Sequence, residues 1–250
     1  MSFVGGVGYS NIDLIYSGLD RLPDKGEEIF ARGFSMQFGG GIPATMINLS
    51  RLGVESRIIT FAGHDLFSEF VKKTLNSYPV KTVNLYKGNK MPVVLSSTLL
   101  YCGDRSFISY TDGMDLNDAV MDEVYENLKG AYVVDMHVGF LDVYKRLKKD
   151  GCIQIFDTGW EDDLTLEKYR DYLEIADYYI PNQKEAMKIT GTSSVEAAAD
   201  VLSEFFSDVT IKMDKEGCLL KNKDGIKIIS SVQNVKAIDA TGAGDAFCAG

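Results

Sequence analysis

The chain has 250 residues, 45% hydrophobic and 25% charged, with a formal net charge of −10. That is globular composition at a length for one large domain, and the acidity disfavours a nucleic-acid partner, which needs Lys and Arg against phosphates. No apolar run reaches the roughly 18 residues of a membrane span, the start lacks the pattern of a secretory leader, and scattered cysteines with two histidines disfavour zinc and predict reduced thiols in a cytoplasm.

In chain order, strands are expected at 13–19 and 27–34, then a helix in 39–53, a strand at 56–63 and a helix at 65–78. Strands follow at 93–102 and 105–111, joined by the hairpin signal Gly103-Asp104. From residue 130 the pattern alternates. Strands at 130–136, 152–157, 177–180 and 209–213 are separated by helices at 142–149, 164–176, 182–190 and 193–206. Such βαβ units predict an α/β fold, a three-layer arrangement of a mostly parallel sheet with helices on both faces. The extra strands, roughly 13–34 and 93–111, predict a small β-sheet projecting as a lid from a single domain spanning 1–250.

The last stretch, Asp239-Ala-Thr-Gly-Ala-Gly-Asp-Ala-Phe-Cys-Ala-Gly250, carries the chemistry. Gly242 and Gly244 allow backbone conformations closed to other residues, so the N–H groups opening a helix can form an anion-binding concavity. Asp245 then stands in the first turn. A carboxylate beside such a nest is a minimal kit for phosphoryl transfer to a hydroxyl. A plain tight turn with Asp245 as a helix cap fits a bare GxGD better, and it is the longer string of two acids, a threonine and Gly-Ala-Gly within seven residues that favours the chemical reading. A dinucleotide site is weaker: Gly6-Val7-Gly8 is followed by Tyr9, Ser10 and Asn11, without the third glycine of G-x-G-x-x-G.

DATGAGDAF resembles the signature of the ribokinase-like (PfkB) carbohydrate kinases. VGGVGYSNIDLI, DRLPDKGEEIFARGFSMQFGGG, NLSRLG, GDRSFISYTDGM and PNQKEA resemble further family segments in the expected order over the whole chain. The resemblance implies a ribokinase-like fold and ATP-dependent phosphorylation of a hydroxyl on a small sugar or sugar-like acceptor. Asp245 would be the general base, with Gly242, Ala243 and Gly244 as anion hole. Asn11, Asp13, Gly39, Gly40, Gly41 and His137 would bind the acceptor. Asn182, Lys212, Gly217 and Thr241 would bind the nucleotide. Asn182 and Glu185 would organise Mg²⁺ through water, and Asp239 a monovalent cation such as K⁺. Asp157 and Trp160, after a strand, are further candidates. Relatives often pair through the lid, so a homodimer is expected there. A nucleoside kinase of the same fold and a non-catalytic sugar- or nucleotide-binding relative are the alternatives.

Three departures stand out. Ala44 occupies the place of the family's acceptor-binding asparagine, with Asn48 one turn on. Asp214 replaces the first glycine of the G-x-x-G turn, leaving Gly217. The sequence stops at Gly250, where relatives continue, so a longer natural chain is expected.

Overall fold

The computed structural model describes residues 3–102, 104–232, 235 and 242–250. Its first half contains β1 (Phe3–Val7), β2 (Asn11–Leu19), β3 (Gly33–Gly39), α1 (Gly41–Arg51), β4 (Ser56–Thr60), α2 (Leu66–Asn76), β5 (Lys81–Asn84), β6 (Val94–Tyr101), β7 (Asp104–Tyr110) and α3 (Asp118–Leu128). The second half contains β8 (Ala131–Met136), α4 (Leu141–Lys149), β9 (Ile153–Phe156), α5 (Leu166–Ile175), β10 (Tyr178–Tyr179), α6 (Gln183–Thr190), α7 (Val195–Leu202), β11 (Val209–Lys212), β12 (Cys218–Asn222), β13 (Gly225–Ile229) and α8 (Ala243–Ala249).

Six strands form a parallel sheet in the order β10-β9-β8-β1-β4-β5. The chain starts at β1 in the middle, runs outward through β4 and β5, then returns to β8 and runs outward the other way. That reversal leaves a crevice at the carboxyl ends of β1 and β8, where open α/β sheets bind ligands. The sheet is covered on both faces, so its strands are nearly continuous apolar runs. Ile58 and Ile59 in β4 are both fully buried, one in each of two apolar cores. The first core gathers α3, α4 and α5, with Tyr144 and Tyr169 inside it, and the second gathers α1 and α2 around Met46 and Leu75. Glycines in β1 allow the close approach. A Cβ at Gly5 would lie 2.7 Å from Leu128 of α3, and one at Gly6 would lie 2.4 Å from Ile42 of α1.

A separate four-stranded sheet has the order β3-β2-β6-β7, with β2 and β6 parallel and the outer pairs antiparallel. Register places Asp13, Ser96 and Ser109 side by side on one face. Phe34, Met36, Ile108 and Tyr110 share the opposite face and are exposed. The strand expected at 27–34 is corrected: the second strand is Gly33–Gly39, and the chain before it is irregular. Glu27 is drawn away from strand geometry by Arg21 and by the Asp24 N–H, which donates to it at 3.0 Å. The β6–β7 hairpin forms as expected, with Tyr101 opposite Asp104, while Gly103 lies outside the described residues.

Strand β11 departs from the expected continuous alternation. It opens a three-stranded antiparallel sheet with β12 and β13 and touches the parallel sheet through one bridge, Asn182 to Lys212. Helix α3 and strands β5, β12 and β13 were not anticipated from sequence. Among the described residues no helix is long and apolar enough to cross a membrane.

Candidate active site

The crevice narrows to a cavity of about 210 Å³ lined by Gly41, Thr45, Asp135, His137, Asp157 and Asp245, with Cys248 at its edge. Each side chain arrives from a different element. Asp135 ends β8, His137 and Asp157 follow β8 and β9, Gly41 opens α1, and Asp245 sits in the first turn of α8, which packs on α1. The turn into α8 is left-handed at Gly242, with φ 77°, and no side chain caps it. First-turn N–H groups there lack a helical partner by geometry. A Cβ on Gly41 would lie 3.4 Å from Asp245 Oδ1, and one on Gly242 3.8 Å from Oδ2. Both carboxylate oxygens therefore stand against bare backbone.

Burial first, and then the Asp157 charge, push the Asp245 carboxyl up to about 6, with Lys212 pulling the other way. Lys212 donates to Asp157 Oδ2 at 2.6 Å. Burial works against its charge, but Asp157 and Cys248 hold its proton more tightly than usual. The Cys248 thiol is pushed well up by burial and lies 3.6 Å from Asp157 Oδ2, so it stays protonated. Asp157 Oδ1 is buried and has no hydrogen-bond partner among the described residues.

His137 lines the same cavity. Its Nδ1–H donates to the Val138 carbonyl at 2.8 Å, and burial lowers its pKa, so the ring is neutral with Nε2 as an acceptor. Asp13 and Asn11 stand apart from this cavity, on the four-stranded sheet. Asn11 Nδ2 donates to Asp13 Oδ1 at 2.9 Å, and Ser96 Oγ donates to Asn11 Oδ1 at 3.3 Å. Burial raises the Asp13 pKa, against the Asn11 hydrogen bond and the Arg105 charge. The glycine segment links the two places. A Cβ on Gly39 would lie 3.0 Å from Asp13 Oδ2, while Gly41 faces Asp245. Gly40, with φ 105°, makes the bend, and a Cβ there would lie 2.7 Å from the Tyr9 carbonyl.

On the other side, Asn182 caps α6. Its Oδ1 accepts from the Lys184 and Glu185 N–H groups, and Glu185 Oε2 accepts from the Asn182 N–H at 2.8 Å. Burial first, and then Asp157, raise the Glu185 pKa. The turn after Lys212 keeps glycine-like backbone without its glycine: Asp214 holds φ 50°, a conformation acidic side chains tolerate better than most. Gly217 is obligatory, because a Cβ there would lie 1.9 Å from the Ile229 carbonyl. A cleft of about 580 Å³ beside this turn is lined by Arg105 and Phe107 of β7 and by Trp160, Asn182, Lys184 and Asp214. Thr241 and Asp239 lie outside the described residues.

Sequence reading gave Thr45, Asp135 and Cys248 no role. The only hint was an acid ending the otherwise apolar run Tyr-Val-Val-Asp135-Met.

A crevice at a sheet reversal, a glycine turn opening α8 and an acid shifted to about 6 stand together on a ribokinase-like fold. The pfkB family carbohydrate kinase model matches residues 1–250, and the chain belongs to that family. A ribokinase of Lactococcus lactis is 22% identical over 253 residues, covering 99% of this chain and 81% of that protein. A deoxyribokinase of Salmonella typhi is 24% identical over 262 residues, covering 96% and 81%. The solved structure of Arabidopsis thaliana ribokinase complexed with ribose and ATP matches with a TM-score of 0.80 at 23% identity, covering 100% of this chain and 84% of that one.

Proposed function

We propose that the protein transfers the γ-phosphoryl group of ATP to a hydroxyl of a small sugar or sugar-like acceptor. The observation that carries this is Asp245, poised at about 6, standing between the bare backbone of Gly41 and the uncapped Gly242 turn. At neutral pH Asp245 is largely ionised and takes the acceptor hydroxyl proton as the oxygen attacks phosphorus. The N–H groups of the Gly242-Ala243-Gly244 turn hold the charge of the transferred group, and ADP leaves. Asp13 and Asn11 orient the acceptor, Gly39 and Gly40 let it approach the backbone, and His137 Nε2 accepts from another hydroxyl. The four-stranded sheet closes as a lid and excludes water. The exposed face bearing Phe34, Met36, Ile108 and Tyr110 suits pairing of two lids.

Lys212, Asn182 and Gly217 border the nucleotide. Among the described residues no three acidic, His or Cys side chains gather to hold a metal by themselves. Glu185 has one oxygen committed to the Asn182 N–H and a second available. That donor set fits Mg²⁺ carried on nucleotide phosphates and met through water, where the ion would neutralise phosphate charge.

A nucleoside acceptor is the second reading, favoured by the aromatic walls Trp160 and Phe107 of the lid cleft and by Ala44. The test is ADP release with Mg·ATP, with and without K⁺, against pentoses, hexoses, sugar acids, sugar phosphates and nucleosides. One acceptor lifting ADP release well above the acceptor-free rate is expected. A flat panel with ATP still bound would overturn the kinase reading in favour of a binding protein.

A further inference from the structure

The cavity holds an acid that this chemistry leaves unused. Asp135 is 6% exposed and lines the space shared with Asp245, His137 and Gly41. It lies in β8 opposite Gly6 of β1, so the first turns of α1 and α8 stand over it. The Thr45 hydroxyl, itself 4% exposed, lines the same cavity but donates to the Gly41 carbonyl at 3.1 Å, while the nearby cation Lys212 is spent on Asp157. A buried carboxyl without a cation is costly unless other hydrogen bonds satisfy it. Its open side faces the acceptor cavity. Thr45 directly follows Ala44, the position whose methyl group cannot hydrogen-bond a hydroxyl.

We propose that Asp135 is an acceptor-binding, specificity-determining residue: its carboxyl hydrogen-bonds the hydroxyl next to the one Asp245 deprotonates, the contact Ala44 cannot make. The inference rests on the kinase reading above. It also defines the chemistry of the acceptor's reacting end. The ionised Asp245 disfavours a carboxylate on the acceptor beside the reacting hydroxyl, and a cavity of about 210 Å³ suits neighbouring hydroxyls of a neutral polyhydroxy group. The charge states agree. Burial first, then Asp157, push Asp135 up to about 8, with the Asp245 charge adding to the rise and Thr45 and Lys212 opposing it. Asp135 is thus mostly neutral at pH 7, able to donate and accept, while Asp245 at about 6 serves as base.

The test uses D-ribose, D-fructose and adenosine with their monodeoxy analogues. Asp135→Ala is expected to raise the acceptor KM about 10- to 100-fold, leaving the ATP KM unchanged and kcat within a few-fold. Wild type should reject one monodeoxy analogue by a similar factor, and Asp135→Ala should lose that discrimination. Asp135→Asn, which also donates and accepts, should restore the acceptor KM to within a few-fold of wild type. An unchanged acceptor KM, persisting discrimination, or equal damage to the ATP KM overturns the proposal. Should Asp135→Ala fail to fold, Asp135→Leu carries the same test, since it removes the carboxyl's hydrogen bonding without leaving a cavity. Acceptor-dependent turnover in wild type with an unaffected Asp135→Ala overturns this inference alone. Its absence in wild type on all three series overturns the kinase reading as well.

Discussion

The parallel sheet hides most of its apolar side chains from water, and the four-stranded sheet leaves Phe34, Met36, Phe107, Ile108 and Tyr110 exposed to it. Val7, Ile58, Val134 and Phe156 of the first are fully buried, whereas Ile108 of the second is 69% exposed and Phe34 62%. The difference follows from the connections. Parallel strands need helical crossovers, and those crossovers cover both faces. The four-stranded sheet joins the antiparallel pairs β2–β3 and β6–β7 through parallel β2 and β6, and one of its faces has no helix over it. The proposed base and its anion nest sit on α8, packed on α1 over the carboxyl ends of the parallel strands, with the Asp157–Lys212 pair beside them, all held by elements distant in sequence. The proposed acceptor contacts Asp13 and Asn11 sit on the sheet with few packing partners, the kind of element that can move at small cost.

Changes to the buried sheet should therefore damage folding, and changes to the open sheet should damage ligand affinity alone. The largest stability effect is expected from Lys212→Met. It strands Asp157, whose Oδ1 already lacks a partner among the described residues, and should cost about 3–5 kcal/mol in chemical denaturation. It should also move a pH limb. Asp245 must be ionised to act, so kcat/KM falls as pH drops through about 6. Lys212 lowers that value, so its loss should shift the limb to higher pH. A limb that stays put or moves down would remove Asp245 from the assignment. Gly6→Val comes next. Its Cβ would meet Ile42 at 2.4 Å, and overpacking of this kind costs about 1–3 kcal/mol, read as a lower Tm.

On the open sheet, Asp13→Asn should raise the acceptor KM about tenfold, the loss of one charge-assisted hydrogen bond, with melting unchanged. A melting loss as large as that of Gly6→Val would mean that Asp13 braces the sheet. The smallest effect is expected from Ile108→Ser, within about 0.5 kcal/mol of wild-type stability, because the side chain already faces solvent.

The alternation of short apolar runs and amphipathic helices made the parallel sheet legible, because that period is a local property of the chain. The glycine-acid stretch ending at Asp245 was legible for the same reason: its meaning lies in seven consecutive residues. The start of β3 was misplaced because Glu-Glu-Ile-Phe-Ala-Arg alternates well enough for a strand, while the pairing of Gly33 with Ser17 and the diversion of Glu27 to Arg21 are tertiary choices. The Asp224-Gly225 turn between β12 and β13 carried a hairpin signal that passed unread. Asp135 and Thr45 could not be read at all. One ends an apolar strand and the other lies mid-helix, and they become a site only when α1 and α8 close over β8. The capping box of Asn182 and Glu185 shows a milder case, since a motif proposed to meet Mg²⁺ through water serves helix geometry in the structure.

The central claim is that Asp245, held on α8 over the parallel sheet, is the base. Its most direct test is acceptor-dependent ADP formation by Asp245→Asn beside wild type, with ATP and acceptor binding followed by calorimetry. The account predicts retained binding of both ligands, unchanged melting and a kcat reduced by about 10²–10⁴ or more. Turnover near that of wild type would contradict it and return Asp245 to the role of a helix-terminal acid.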